Sequence, residues 1–180
     1  AYCGGSPTER MAVHCGDHQS GHGGGVMIDW TNPAARITPH FTVHEATYLP
    51  SWRVYHHPAQ PEQRAIEDLA ERMEHVRALF QAPIVVHCWM RPARVTAPGT
   101  QYHQQDYNAY VGSTATQSGH IYGQAVDFCV SGWAGPAKCA EARMRILPHL
   151  VEFGLRMEDN HGGWIHIDTK PVIGSRFFRP

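Results

Sequence analysis

A chain of 180 residues suits one domain of ordinary size, large enough to bury a core of its own. A formal net charge of -1 and an isoelectric point near 7.0 exclude a nucleic-acid binder held by massed phosphate contacts, and they give an acidic membrane surface nothing to attract. No apolar run approaches the length of a membrane span.

Residues 1 to 25 are polar and rich in glycine, ending in Gly21-His22-Gly23-Gly24-Gly25. They read as an irregular arm, bounded at residue 35, with a single domain over residues 36 to 180. The arm holds Cys3, His14, Cys15, His18 and His22, whose spacing matches no zinc-finger pattern, so a disulfide-pinned or draped arm is expected. Five cysteines are an odd count and cannot all pair within the chain. In an oxidising compartment Cys3 with Cys15 and Cys129 with Cys139 are the expected bridges, leaving Cys88 as a buried thiol on a strand. Fourteen histidines are many for this length, yet they never run together as a tag would, so only those with a geometric argument are promoted.

Phe41-Thr42-Val43-His44-Glu45 carries a capping-box signature and predicts a short helix, which Pro50 must stop. From Pro61 to Phe80, Ile66, Leu69, Met73, Val76, Leu79 and Phe80 fall at helical spacing and predict the principal core helix. Pro83 ends it, and Ile84-Val85-Val86-His87-Cys88 reads as a buried strand. Residues 89 to 117 are polar and rich in turn formers, long enough for an irregular stretch to signal function. Ala125 to Val130 is the next strand, residues 136 to 153 a second helix kinked at Pro148, and Trp164 to Asp168 a strand near the end. Side chains alternate along a strand, so His166 and Asp168 share one face while Ile165 and Ile167 share the other. The expected fold is α+β, a small antiparallel sheet with helices packed on one face.

The chemistry concentrates in Gln117 to Asp127, where His120 and Asp127 stand seven residues apart, with His161 and His166 downstream. Two neutral imidazoles and one carboxylate are a usual ligand set for a catalytic zinc that keeps a position open, which predicts a metallohydrolase.

Ser118, His120, Gly123, Ala125 and Asp127 form the pattern S-x-H-x-x-G-x-A-x-D, and Trp164-Ile165-His166 forms a later W-x-H. In these two motifs, their order and their separation, the chain resembles the zinc D-Ala-D-Ala carboxypeptidase family of bacterial cell-wall peptidases, which includes phage endolysins. The resemblance runs from about Phe41 to about Asp168. It implies a zinc site at the sheet with His120, Asp127 and His166 as ligands, and small residues at Gly123 and Ala125 that let the backbone pass close to the metal. His161 is implied as part of the catalytic machinery, orienting water or stabilising an oxyanion. Other members place an acidic residue three positions before the last ligand, where this chain has Gly163, and Glu158 and Asp159 are the alternatives for the proton-handling role.

Trp89-Met90-Arg91-Pro92 occupies the place of the family's S-G-Y-R-S segment, with Met90 where the family has tyrosine. Arg91 is thereby implied to bind a substrate carboxylate or polarise the scissile carbonyl, with Arg94 in competition. Asn108 stands for the family's later asparagine in substrate binding. Ser118 is expected to hydrogen-bond the substrate or the loop backbone. Asp168 is open between a partner behind the ligand set and the polar end of its strand.

The implied activity is zinc-dependent hydrolysis of a peptide bond in peptidoglycan stem peptides or cross-links, of the D,D-carboxypeptidase or endopeptidase type. A binding module with a purely structural zinc and an L-Ala-D-Glu endopeptidase are the alternatives. The expected partner is the peptidoglycan peptide, met by a monomer in the periplasm, outside the cell or at the wall. The N-terminus lacks a basic region followed by an apolar one. The expectation is therefore a leader already removed or another route of export, as for a phage lysin released at lysis.

Overall fold

The computed structural model describes residues 27–93, 95–96, 104–113, 115–160 and 162–179. The arm residues Cys3, His14, Cys15, His18 and His22 lie outside the described residues, as do Arg94 and His161.

Helix α1 spans Val43–Thr47 and begins as its sequence dictates. The Thr42 N–H donates to the Glu45 carboxylate at 2.8 Å, and the Glu45 N–H returns to the Thr42 hydroxyl at 3.4 Å, so two free amides at the helix start are satisfied. The chain then turns through a small antiparallel hairpin, β1 (Tyr48–Leu49) and β2 (Val54–Tyr55). Helix α2 spans Gln60–Phe80, with Pro61 in its first turn and Glu62 accepting the Ala59 N–H at 2.7 Å. Its apolar stripe buries Ile66, Leu69, Met73 and Val76 completely, while Leu79 and Phe80 pack against the core from its margin. Each fully buried side chain of this size contributes about 1.5–3 kcal/mol. Gln81 closes the helix in a left-handed conformation at φ 50° before Pro83.

Strand β3 covers Ile84–Cys88. The stretch from residue 89 to 117, expected to be irregular, contains elements of its own. A two-residue ribbon pairs β4 (Val95–Thr96) with β5 (Gln104–Gln105), and the short helix α3 (Tyr107–Tyr110) is capped by the Asp106 carboxylate. Strand β6 is Ala125–Val130, as expected. Helix α4 spans Pro136–Ile146 and ends sooner than the sequence suggests, because Pro148 lies in a separate 3-10 turn, Leu147–His149, rather than in a kink within one helix. Three strands follow, β7 (Arg156–Glu158), β8 (Ile165–Asp168) and β9 (Phe177–Phe178).

The main sheet has five strands in the order β3-β6-β8-β7-β9. All neighbours are antiparallel except β7 and β9, which run parallel, so the fold is α+β with a mixed sheet and the expectation of a purely antiparallel one is corrected at this edge. The last segment reaches β7 through backbone bonds rather than a hairpin: the Met157 N–H donates to the Arg176 carbonyl and the Asp159 N–H to the Phe178 carbonyl. At the other edge the pairing of β3 with β6 is interrupted by a bulge between Val86 and Cys88.

Alternation divides β6 and β8 as their sequences predict. Val126, Phe128, Ile165 and Ile167 join the hydrophobic core, while Asp127, His166 and Asp168 face an open cavity. Cys129 and Cys139, expected to pair, are free thiols, both raised by burial, and Cys139 donates to the Trp133 carbonyl. Among the described residues no helix is long and apolar enough to cross a membrane.

Candidate metal centre

His120 lies in a 3-10 turn, Gly119–Tyr122, capped by Ser118, whose hydroxyl accepts the His120 N–H at 3.4 Å. The expected bond from Ser118 to the loop backbone is thus present. Gly123 closes the turn at φ 73°, where a Cβ would lie 2.8 Å from Ile66 Cγ1 on α2, and a Cβ on Gly119 would lie 2.9 Å from that of Ala125. The small residues of the turn therefore let it press onto α2 and β6. Segment 89–91 laces the turn from the other side. The Arg91 N–H donates to the His120 carbonyl at 2.9 Å, and the buried Trp89 indole donates to the Gly123 carbonyl at 3.1 Å.

These contacts leave His120 wholly buried, with its Nδ1 2.7 Å from the Trp89 carbonyl. A carbonyl can only accept, so Nδ1 carries the hydrogen and Nε2 presents its lone pair inward. Burial holds the imidazole below its ordinary range, against the pull of Asp127, and keeps it neutral.

Asp127 and His166 face each other in the β6–β8 register. The His166 Nδ1 is 2.8 Å from Asp127 Oδ1 and 3.2 Å from His120 Nε2, and His120 Nε2 is 3.3 Å from the same carboxylate oxygen. Three donors thus form a triangle with edges of 2.8–3.3 Å. Metal–ligand bonds near 2.0–2.1 Å in a tetrahedron require edges of about 3.3 Å. His120, Asp127 and His166 could therefore hold a metal ion.

Behind the ligands stands a second layer of charge. Asp168, nearly inaccessible, takes two hydrogen bonds from the Arg156 guanidinium, at 2.7 and 2.8 Å, and its Oδ2 lies 3.7 Å from His166 Nε2. It is more than the polar end of its strand, for it keeps Nε2 turned away from the triangle and Nδ1 turned toward it. Burial opposes the charge on His166, but the hydrogen bond it donates to the Asp127 carboxylate and the nearby Asp168 carboxylate prevail and lift it to about 9. Burial works against ionised Asp168 as well, and the bonds from Arg156 and His166 still bring it down to about 2. Asp127, between two imidazoles, is held far below the ordinary carboxylate range despite its burial.

The cavity beside the triangle measures about 490 Å³. Arg91 lines it, its guanidinium 3.9 Å from Asp127 Oδ2 and its Nε buried without a hydrogen-bond partner among the described residues. Ser118 and Lys170 line the same wall, where the Lys170 ammonium donates to the Gln117 carbonyl at 2.7 Å. Trp164 and Glu158 line it as well, the indole nearly half exposed. Asn108, expected to touch substrate, does not line the cavity. It is buried behind the wall, where its side-chain amide donates to the Ala115 carbonyl at 3.1 Å and fixes the loop. Asp159 is drawn outward to Arg179 at 3.0 Å. Cys88, opposite Asp127 in the sheet, is pushed up to about 12 by burial and offers no thiolate nucleophile.

Sequence reasoning missed Arg156 and Lys170 and gave Glu158 only a secondary place. The available signal was weak: Arg156-Met157-Glu158 alternates polar and apolar residues over three positions, too few to announce a strand. Comparison of the chain with protein-family models, with curated proteins and with solved structures finds no match.

Proposed function

We propose that the protein is a zinc-dependent peptidase that hydrolyses a peptide bond in peptidoglycan stem peptides or cross-links, as a D,D-carboxypeptidase or endopeptidase. The observation that carries this reading is the convergence of His120 Nε2, His166 Nδ1 and Asp127 Oδ1, supplied by the two motifs, beside an open cavity. Two imidazole nitrogens and one carboxylate oxygen with a solvent-facing side suit a catalytic zinc better than a closed structural one. When bound, zinc supplies Lewis acidity toward a carbonyl oxygen and toward water.

The chain's own residues then bind and orient. Arg91 brings a fixed positive charge to the edge of the triangle, suited to a substrate carboxylate or to negative charge developing on a carbonyl oxygen. The tie between Lys170 and Gln117 holds the cavity wall, and the exposed face of Trp164 offers apolar contact to a peptide. Asp168, clamped by Arg156, keeps His166 in its ligand orientation.

The test is turnover of purified peptidoglycan by the full chain. Release of fragments that stops on adding a chelator and resumes with zinc is the expected result, and mass spectrometry of the fragments identifies the cleaved bond. A zinc-loaded chain that adsorbs to peptidoglycan and releases nothing is a binding module instead.

A further inference from the structure

Hydrolysis at such a centre requires a group that accepts a proton from water and returns it to the leaving nitrogen. Among the described residues three carboxylates line the cavity, Asp127, Asp168 and Glu158. Asp127 belongs to the ligand triangle, and Asp168 is saturated by two bonds from Arg156. Glu158 enters no ion pair and no side-chain hydrogen bond among the described residues.

The sheet register fixes where that carboxylate stands. Strands β7 and β8 pair Arg156 with Asp168 and Met157 with Ile167. Glu158 follows Met157 on β7 as His166 precedes Ile167 on β8, so the two stand one step beyond the last paired residues, and His166 is itself opposite Asp127 on the other side. Asp127 and His166 thus form one row, and Glu158, next along β7, lines the same cavity, on the face that alternation also gives to Arg156 and Asp168. Directly opposed residues carry Cβ atoms about 4.5–5.5 Å apart, and a glutamate side chain spans that interval to reach the solvent side of its neighbour.

Resting on the peptidase reading, we infer that Glu158 is the general base, delivered from the strand beside the last ligand. Its carboxylate takes a proton from the attacking water as the water oxygen bonds to the carbonyl carbon. The carbon–nitrogen bond then breaks, and the same proton passes to the departing nitrogen. One water is consumed, and one carboxyl group and one amine are released.

The experiment compares the wild-type chain with Glu158→Gln and Glu158→Asp, each loaded with zinc and checked for zinc stoichiometry and thermal unfolding. With soluble muropeptides prepared from purified peptidoglycan, kcat of Glu158→Gln falls by about 10²- to 10⁴-fold while KM stays within about threefold. Glu158→Asp retains an intermediate rate. A second readout needs no turnover: acetohydroxamate, which must give up a proton as it binds the metal, loses about 10- to 100-fold in affinity for Glu158→Gln.

Wild-type kcat and hydroxamate affinity in a zinc-loaded Glu158→Gln overturn the assignment. A raised KM at constant kcat overturns it too, in favour of substrate recognition, and so does loss of zinc, in favour of a ligand. Hydroxamate binding that depends on Glu158 in a chain that leaves muropeptides intact sinks the peptidoglycan reading and supports the placement of Glu158. A wild-type chain that takes up no zinc removes both.

Discussion

The two histidines of the candidate centre are held by opposite means. His120 is fixed by a neutral contact: its ring is sealed from solvent, its Nδ1 hydrogen is given to the Trp89 carbonyl, and burial keeps it uncharged. His166 is fixed by charge, between Asp127 and an Asp168 that Arg156 clamps, and carries a proton up to a pH of about 9. One ligand is thus ready for a cation before it arrives, and the other must first release a proton. The difference assigns the geometric precision of the site to the 3-10 turn and its sensitivity to solution conditions to the sheet.

The sharpest way to break this comparison is His120→Ala. It removes a ready ligand and orphans the Trp89 carbonyl, so zinc affinity falls by more than the roughly 100-fold that marks the upper effect of a supporting partner. Stability falls by about 1–3 kcal/mol as well. Elemental analysis after dialysis and a denaturant titration check the two effects, and retained stoichiometric zinc would contradict the assignment of His120.

A second expectation concerns pH. The charged form of His166 competes with the metal, so zinc affinity rises by about tenfold per pH unit below about 9 and levels off above it. Competition titration with a chromogenic chelator between pH 6 and 9 measures the slope, and a flat profile would mean that His166 is already neutral. Without metal the sign reverses. The raised His166 contributes stability that is fully present below its unfolded value near 6.5 and is lost as pH climbs through about 9.

The smallest expected effect on metal comes from Arg156→Met, which leaves the three ligands in place but strips Asp168 of its two hydrogen bonds. Zinc affinity drops by about 10-fold as His166 loses its orientation. Breaking one side of a largely buried ion pair costs about 3 kcal/mol of folding stability. In the wild type the depressed Asp168 contributes stability present above about pH 4 and lost as pH falls through about 2. In the variant that part of the acid transition disappears, which acid titration followed by circular dichroism detects.

Where local chemistry decided the structure, the sequence disclosed it. The capping pair Thr42 and Glu45, the stripe from Ile66 to Val76 and the strand Ala125–Val130 all carry their own periodicity or end signals, and each forms as read. The candidate ligands were legible from the two motifs and the spacing of His120 and Asp127, and the later strand alternates a polar face with an apolar one. What stayed hidden depends on partners distant in the chain. Strand β9 has only two residues and exists because β7 lies beside it, and β7 has only three. The place of Glu158 follows from a register that no stretch of sequence states. Asn108 was assigned by its position in a motif, whereas its burial against Ala115 arises from how α3 folds back on the loop. The extent of the second helix was overestimated because Pro148 can begin a new turn as readily as it can bend an old one.

The interruption between Val86 and Cys88 has a bearing on solubility. Strand β3 closes one side of the main sheet with Val85 and His87 exposed, and among the described residues no further strand lies beside it. Such a border invites another chain to extend the sheet, and an irregular step near its end spoils the repeat that an incoming strand would have to match. The same step sets Cys88 against Asp127. A single extra residue therefore both shapes the wall behind the centre and discourages aggregation along the sheet's open side.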